Sequence, residues 1–135
     1  MICLDTNAAI ALINATSTRL RDRLEREQAA GEAIGLPSIV LFELWYGANK
    51  SAKSKENGDL VRRFATGPVS LLNFEPQDAE EAGGIRADLE TRGSPIGPYD
   101  ILIAAQARRR GALLVTANIR EFKRVAGLRC ESWLD

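Results

Sequence analysis

The chain has 135 residues, near the commonest size of a single domain, and 45% of them are hydrophobic, enough to enclose a self-sufficient core. Eighteen Lys and Arg balance eighteen Asp and Glu, so no global field draws the protein to nucleic acid or to a membrane surface. Histidine is absent, which removes imidazole as base, acid or metal ligand and leaves carboxylates to carry any hydrolytic chemistry.

In chain order, Ile2 to Leu4 reads as a short buried strand ending at Asp5, after which Thr6 or Asn7 caps a small helix through Ile13. A mixed-charge helix is expected from Ser17 to Ala30, with Leu20 and Leu24 one turn apart and Gly31 as its stop. A strand from Ala33 to Leu36 precedes Pro37 and Ser38, which open a helix through Leu44 toward Gly47. The run KSAKSKENG reads as a polar connection, followed by a helix around Asp59 to Ala65 and an apolar strand from Val69 to Leu72. Pro76 to Thr91 has the helical stripe Ala82, Ile85 and Leu89, and Gly83 and Gly84 in its middle suggest close packing against a neighbour. Gly97 and Pro98 start a nearly all-apolar helix from Tyr99 to Arg110, and Leu113 to Thr116 reads as an interior parallel strand. A short helix from Ile119 to Arg124 and a strand near Arg129 to Trp133 complete one domain covering 1–135. Strands alternating with helices imply an α/β fold, a parallel sheet covered on both faces with its site at the carboxyl ends of the strands.

Cys3 and Cys130 fit no metal or redox spacing, and the chain shows neither a basic-then-apolar leader nor an apolar run long enough to span a bilayer. The expectation is a reduced, cytoplasmic setting.

Four acids carry the candidate chemistry. Glu43 interrupts the run from Ile39 to Tyr46, where a buried unpaired carboxylate is expensive. Asp5 sits at a strand end, where it also suits a helix cap, and Asp100 falls at the third position of its helix, where negative charge complements the dipole. Asn118 and Glu121 have capping-box spacing. Gathered at one sheet edge, Asp5, Glu43, Asp100 and Glu121 would repel one another severely, and bound Mg²⁺ or Mn²⁺ would relieve them. Divalent ions held by carboxylates serve phosphodiester hydrolysis, which makes such a pocket a candidate nuclease or phosphatase site. For nucleic-acid contact the candidates are Lys50, Lys53 and Lys55, the run Arg108 to Arg110, and Arg19, Arg21, Arg23 and Arg26. The triple arginine equally closes a helix, and the last set equally forms a solvated face.

The blocks MICLDTN, PSIVLFELWYGANKS, IRADLETRGSPIGPYDILIAAQA and LLVTANIREFKRVAGLRCESW, in that order across nearly the whole chain, resemble VapC-type PIN-domain toxins. The resemblance implies a three-layer α/β/α sandwich, a Mg²⁺- or Mn²⁺-dependent endoribonuclease that cuts structured RNA such as tRNA to leave a 5′-phosphate and 3′-hydroxyl, a homodimer, and a cognate antitoxin that binds and inhibits it. Asp5, Glu43 and Asp100 match the first three acids of the family. At the fourth position many relatives have Asp where this chain has Asn118, whereas one subgroup reads T-N-N-T-R-E-F, so Glu121 is the expected last carboxylate. Thr6, Thr116 and Asn118 are candidate hydrogen-bond partners behind the acids, and Trp45, Tyr46 and the loop from Lys50 to Lys55 are candidate substrate contacts.

Two rival readings follow from the same residues. An aspartyl-phosphate phosphotransferase of the D-x-D kind needs an acid where the chain has Asn7. A PIN-like module that binds RNA or a partner with little catalysis draws its support from Asn118 at the fourth position.

Overall fold

The computed structural model describes all of residues 1–135. Its five strands are β1 (Ile2–Leu4), β2 (Ile34–Pro37), β3 (Ser70–Leu72), β4 (Leu113–Val115) and β5 (Arg129–Glu131). Every pairing is parallel, in the order β3-β2-β1-β4-β5. Seven helices flank the sheet: α1 (Thr6–Ile13), α2 (Thr18–Ala29), α3 (Ser38–Lys50), α4 (Ser54–Ala65), α5 (Pro76–Thr91), α6 (Pro98–Arg109) and α7 (Ile119–Phe122). Alternation along each strand divides the interior in two. Cys3, Leu36 and Leu114 face a larger core with Val40, Leu44, Ile85, Leu89 and Ile103, while Ile2, Leu4, Ile34 and Val115 face a smaller one with Ala8, Leu20, Leu24 and Trp133. The result is the α/β/α sandwich expected of the sequence.

The chain leaves β1 for β2 and β3 on one side, then returns to β4 and β5 on the other. Strand order therefore reverses between β1 and β4, which pair Leu4 with Val115, and a crevice opens beyond their carboxyl ends. Asp5 is the first residue past β1, and Thr116 the first past β4.

Several local expectations change. Asp5, rather than Thr6 or Asn7, caps α1, accepting from the Ala8 N–H at 2.9 Å. KSAKSKENG is not simply a connection, because α4 begins at Ser54 inside it and α3 continues through Gly47 to Lys50. Polar residues here form the solvent face of α4, and Gly58 lets that helix pass close to Trp45, whose ring would stand 3.3 Å from an added Cβ. Gly83 and Gly84 have the reverse outcome: nothing lies within 4 Å of a Cβ built on either, so no neighbour within the chain requires them. The strand and helix near the carboxyl end are shorter than expected, closing at Glu131 and Phe122.

Candidate active site at the carboxyl edge of the sheet

Each acid reaches the crevice from a different element. Asp5 follows β1 and is 4% exposed; Glu43 lies on α3, Asp100 in the first turn of α6, and Glu121 on α7, all three half-buried. Gly97 caps α6 and Pro98 is its first residue, so Asp100 is at the third position, as the sequence predicts. Glu43 is not enclosed as its apolar surroundings in the sequence suggest. Phe42 and Tyr46 on either side of it are 49% and 59% exposed, so α3 is apolar on its outer face as well.

Two threonines and an asparagine hold the acids. Thr6 Oγ1 donates to Glu43 Oε1 at 2.6 Å. The Thr116 hydroxyl donates to Asp5 Oδ2 and itself accepts the Asn118 N–H at 2.8 Å. Asn118 and Glu121 do not form the capping box that their spacing suggests. No side-chain cap bond forms at Asn118, and its Nδ2 instead donates to Glu121 Oε2 at 2.9 Å.

The electrostatics record the convergence. Burial pushes the Asp100 carboxyl up to about 6, and the neighbouring Glu121, Glu43 and Asp5 add to it. Asp5 is also raised by burial, with Glu43 adding and the bonds from Thr116 and Ala8 opposing. Asp100 therefore feels the other three acids across the crevice, and Asp5 feels Glu43. No three of them are gathered tightly enough to hold one ion between them. The donor set nonetheless fits a hard divalent cation: the oxygens are carboxylate, and Mg²⁺ commonly binds through one or two carboxylates while keeping several waters. A cleft of about 230 Å³ continues from Glu43 between α1, α3 and α4, with Ile10, Leu44 and Val61 in its walls and Asn14 and Asn57 beside them.

The residues proposed for nucleic acid are distributed unevenly. Tyr46 is exposed, with Lys50 Nζ 5.6 Å from its ring centroid, whereas Trp45 is half-buried beneath Arg62. Lys53 is exposed at the start of α4. Arg108 is turned inward, donating to Glu81 Oε1 at 2.5 Å and to the Ala126 carbonyl at 2.8 Å. Sequence reasoning missed the exposed aromatic pair Phe42 and Tyr99, with ring centroids 5.4 Å apart beside Glu43 and Asp100. Their positions next to two of the acids were the available signal.

The PIN domain family model matches residues 2–128, and the chain belongs to the PIN domain family. Within that family its near relatives are VapC proteins. It is 39% identical over 130 residues to the tRNA(fMet)-specific endonuclease VapC of Shigella flexneri, covering 96% of each chain. Ribonuclease VapC2 of Haemophilus influenzae is also 39% identical, over 97% of this chain and 96% of that one. Among solved structures, VapBC2 from Rickettsia felis bound to a DNA fragment from their promoter superposes with a TM-score of 0.91 at 37% identity, covering 98% of this chain and 99% of that one. DNA-bound VapBC from Salmonella typhimurium gives 0.89 at 39% identity, over 98% of this chain and 97% of that one.

Proposed function

We propose that this protein is the toxin of a toxin–antitoxin pair, a Mg²⁺- or Mn²⁺-dependent endoribonuclease that hydrolyses phosphodiester bonds in structured RNA of the tRNA class. The observation that carries the reading is the meeting of Asp5, Glu43, Asp100 and Glu121 at one crevice, with Asp100 raised to about 6 by burial and by the other three. Whole-length similarity to VapC ribonucleases, two of them named for tRNA(fMet), supports the substrate class.

Asp5 and Asp100 would be the main holders of the divalent ion, with Glu43 and Glu121 completing the set. Such an ion, when bound, stabilises charge developing on the phosphate and eases deprotonation of water. The chain supplies the orientation. Thr116 and the Ala8 N–H fix the two oxygens of Asp5, each of which keeps a lone pair for the pocket, while Thr6 fixes one oxygen of Glu43 and leaves the other for it. Glu43 so held can orient a water for in-line attack on phosphorus, expelling the 3′ oxygen and leaving the phosphate on the 5′ side. Asn118 restrains Glu121 by its amide, which reduces the freedom of the fourth acid. RNA without a dedicated recognition domain would be read by shape and by splayed bases, to which exposed Phe42, Tyr46 and Tyr99 offer aromatic faces.

An antitoxin partner is supported by the VapBC complexes to which the chain is similar. A partner arginine suits the acidic crevice, since a guanidinium pairs with carboxylates in a fixed fork and would compete with metal. The homodimer remains part of this proposal. The loose spacing of the acids favours a second reading, a PIN-like binding module with weak catalysis. One assay separates the two. The chain freed of any partner is incubated with tRNA, with and without Mg²⁺, beside Asp5→Asn and Asp100→Asn. Cutting by the parent alone and only with Mg²⁺ supports the nuclease. Equal cutting by all three proteins, or none by the parent, overturns it.

A further inference from the structure

Asn118 restrains the Glu121 carboxylate, but the backbone that carries both has little of its own to hold it in place. Glu121 lies on α7, a helix of four residues, and a single turn is not stable without outside support. The stretch from Thr116 to Leu128 that carries it buries only Thr116, Phe122 and Val125.

Three arginines grip backbone carbonyls in this segment and in the turn beside it. Arg92, at the end of α5, donates through Nη2 to the Arg124 carbonyl at 2.5 Å. Arg124 donates through Nη1 to the Pro95 carbonyl at 2.9 Å. Arg108 on α6 donates through Nη1 to the Ala126 carbonyl at 2.8 Å. Two of the three are themselves anchored, Arg92 by Asp88 at 2.7 Å and Arg108 by Glu81 at 2.5 Å. Pro95 belongs to the turn that leads into Gly97, Pro98 and Asp100, and Arg124 lies three residues beyond Glu121. The turn that delivers one acid and the segment that delivers the other are thus tied by side chains from both.

We infer that Arg92, Arg108 and Arg124 are positioning residues, a brace that holds Glu121 across the crevice from Asp100. The inference rests on the nuclease reading above. A purely stabilising role fits the chemistry poorly. Arg92 is 45% exposed, and surface bonds of this kind contribute little to folding because water can serve the same groups. Their geometric effect is larger, since all three end within two adjoining segments.

The test is a double-mutant cycle on the full chain. Mn²⁺ is titrated by calorimetry, in the absence of RNA, into the parent, Arg92→Met with Arg124→Met, Glu121→Gln, and the combination of all three. Methionine keeps the apolar stem and removes the donors. The expected result is that the paired arginine change weakens Mn²⁺ binding by about tenfold, while the melting temperature stays within about 3 °C of the parent. Placed on Glu121→Gln, the same change produces no further weakening, because the residue it positions is already disabled. Additive losses, or unchanged Mn²⁺ binding in the arginine variant, overturn the brace while leaving the nuclease reading intact. A parent that neither binds Mn²⁺ nor cuts RNA overturns the nuclease reading and the brace with it. If the double methionine variant melts far lower, Arg124→Lys, which keeps charge and stem but loses the fork, replaces it in the same cycle.

Discussion

The protein holds buried carboxylates in two opposite ways. In the crevice, Asp100 is raised to about 6 by burial and by Glu121, Glu43 and Asp5. At the junction of α5 and α6, Asp78 is 0% exposed, yet its carboxyl is held at about 2. Burial alone would raise Asp78, but bonds from Arg109 at 2.6 Å, Arg110 at 2.9 Å and the Glu75 N–H at 2.8 Å outweigh it. Asp78 has its cations within the chain. Asp100 has none, and that deficit distinguishes a site that awaits an outside cation from one that fastens helices together.

The contrast predicts opposite consequences for the same chemical change. Asp100→Asn should reduce RNA cleavage by on the order of a hundredfold or more, with no loss of thermal stability, because it removes a repelled charge. A substantial fall in melting temperature would show Asp100 to be structural and break the comparison. Asp78→Asn should do the reverse, destabilising the fold by about 3 kcal/mol because it leaves two arginines without their buried partner, with cleavage by the folded protein retained. Chemical denaturation with a parallel RNA assay measures both.

Acid sharpens the distinction further. The Asp78 carboxyl is lowered in the fold, so its contribution, on the order of 2 kcal/mol, is fully present above its unfolded value near 4 and lost as pH falls toward about 2. The stability difference between parent and Asp78→Asn should therefore be flat above about pH 4 and shrink below it. A difference that instead narrows toward alkaline pH would contradict the assignment. The smallest effect belongs to the same helix. Gly83→Ala should stabilise the isolated chain by about 1 kcal/mol, since the glycine weakens α5 and an added Cβ meets nothing. Destabilisation would mean that this face is covered in solution.

The sequence disclosed the crevice more readily than the ion-pair junction. β1, β3 and β4 could be read from short apolar runs and the helices from their apolar spacing and their Gly and Pro boundaries, and the end of β1 located Asp5. Glu43 stands out in the sequence because its neighbours are apolar, yet Phe42 and Tyr46 line an exposed face rather than a core. The ion pairs of Asp78 span some thirty positions, and nothing local in EPQDAEEAGG or ARRRG announces which acid meets which arginine. Arg108 shows the same limit. Its place in a basic run suggested nucleic acid, whereas tertiary packing directs it to Glu81 and Ala126. In α4, polar residues concealed the first part of the helix, Ser54 to Gly58, because its core contacts, Gly58 and Val61, are few, whereas the part from Asp59 to Ala65 was legible. The activity itself came from resemblance across ordered motifs; the acids alone restricted it only to metal-assisted hydrolysis.

Calorimetric titration of Mn²⁺ into the parent, Asp100→Asn and Asp78→Asn tests the central claim most directly. The account predicts that the parent and Asp78→Asn bind alike, and that Asp100→Asn binds at least about tenfold more weakly. Equal binding by all three, or no binding by the parent, would contradict it.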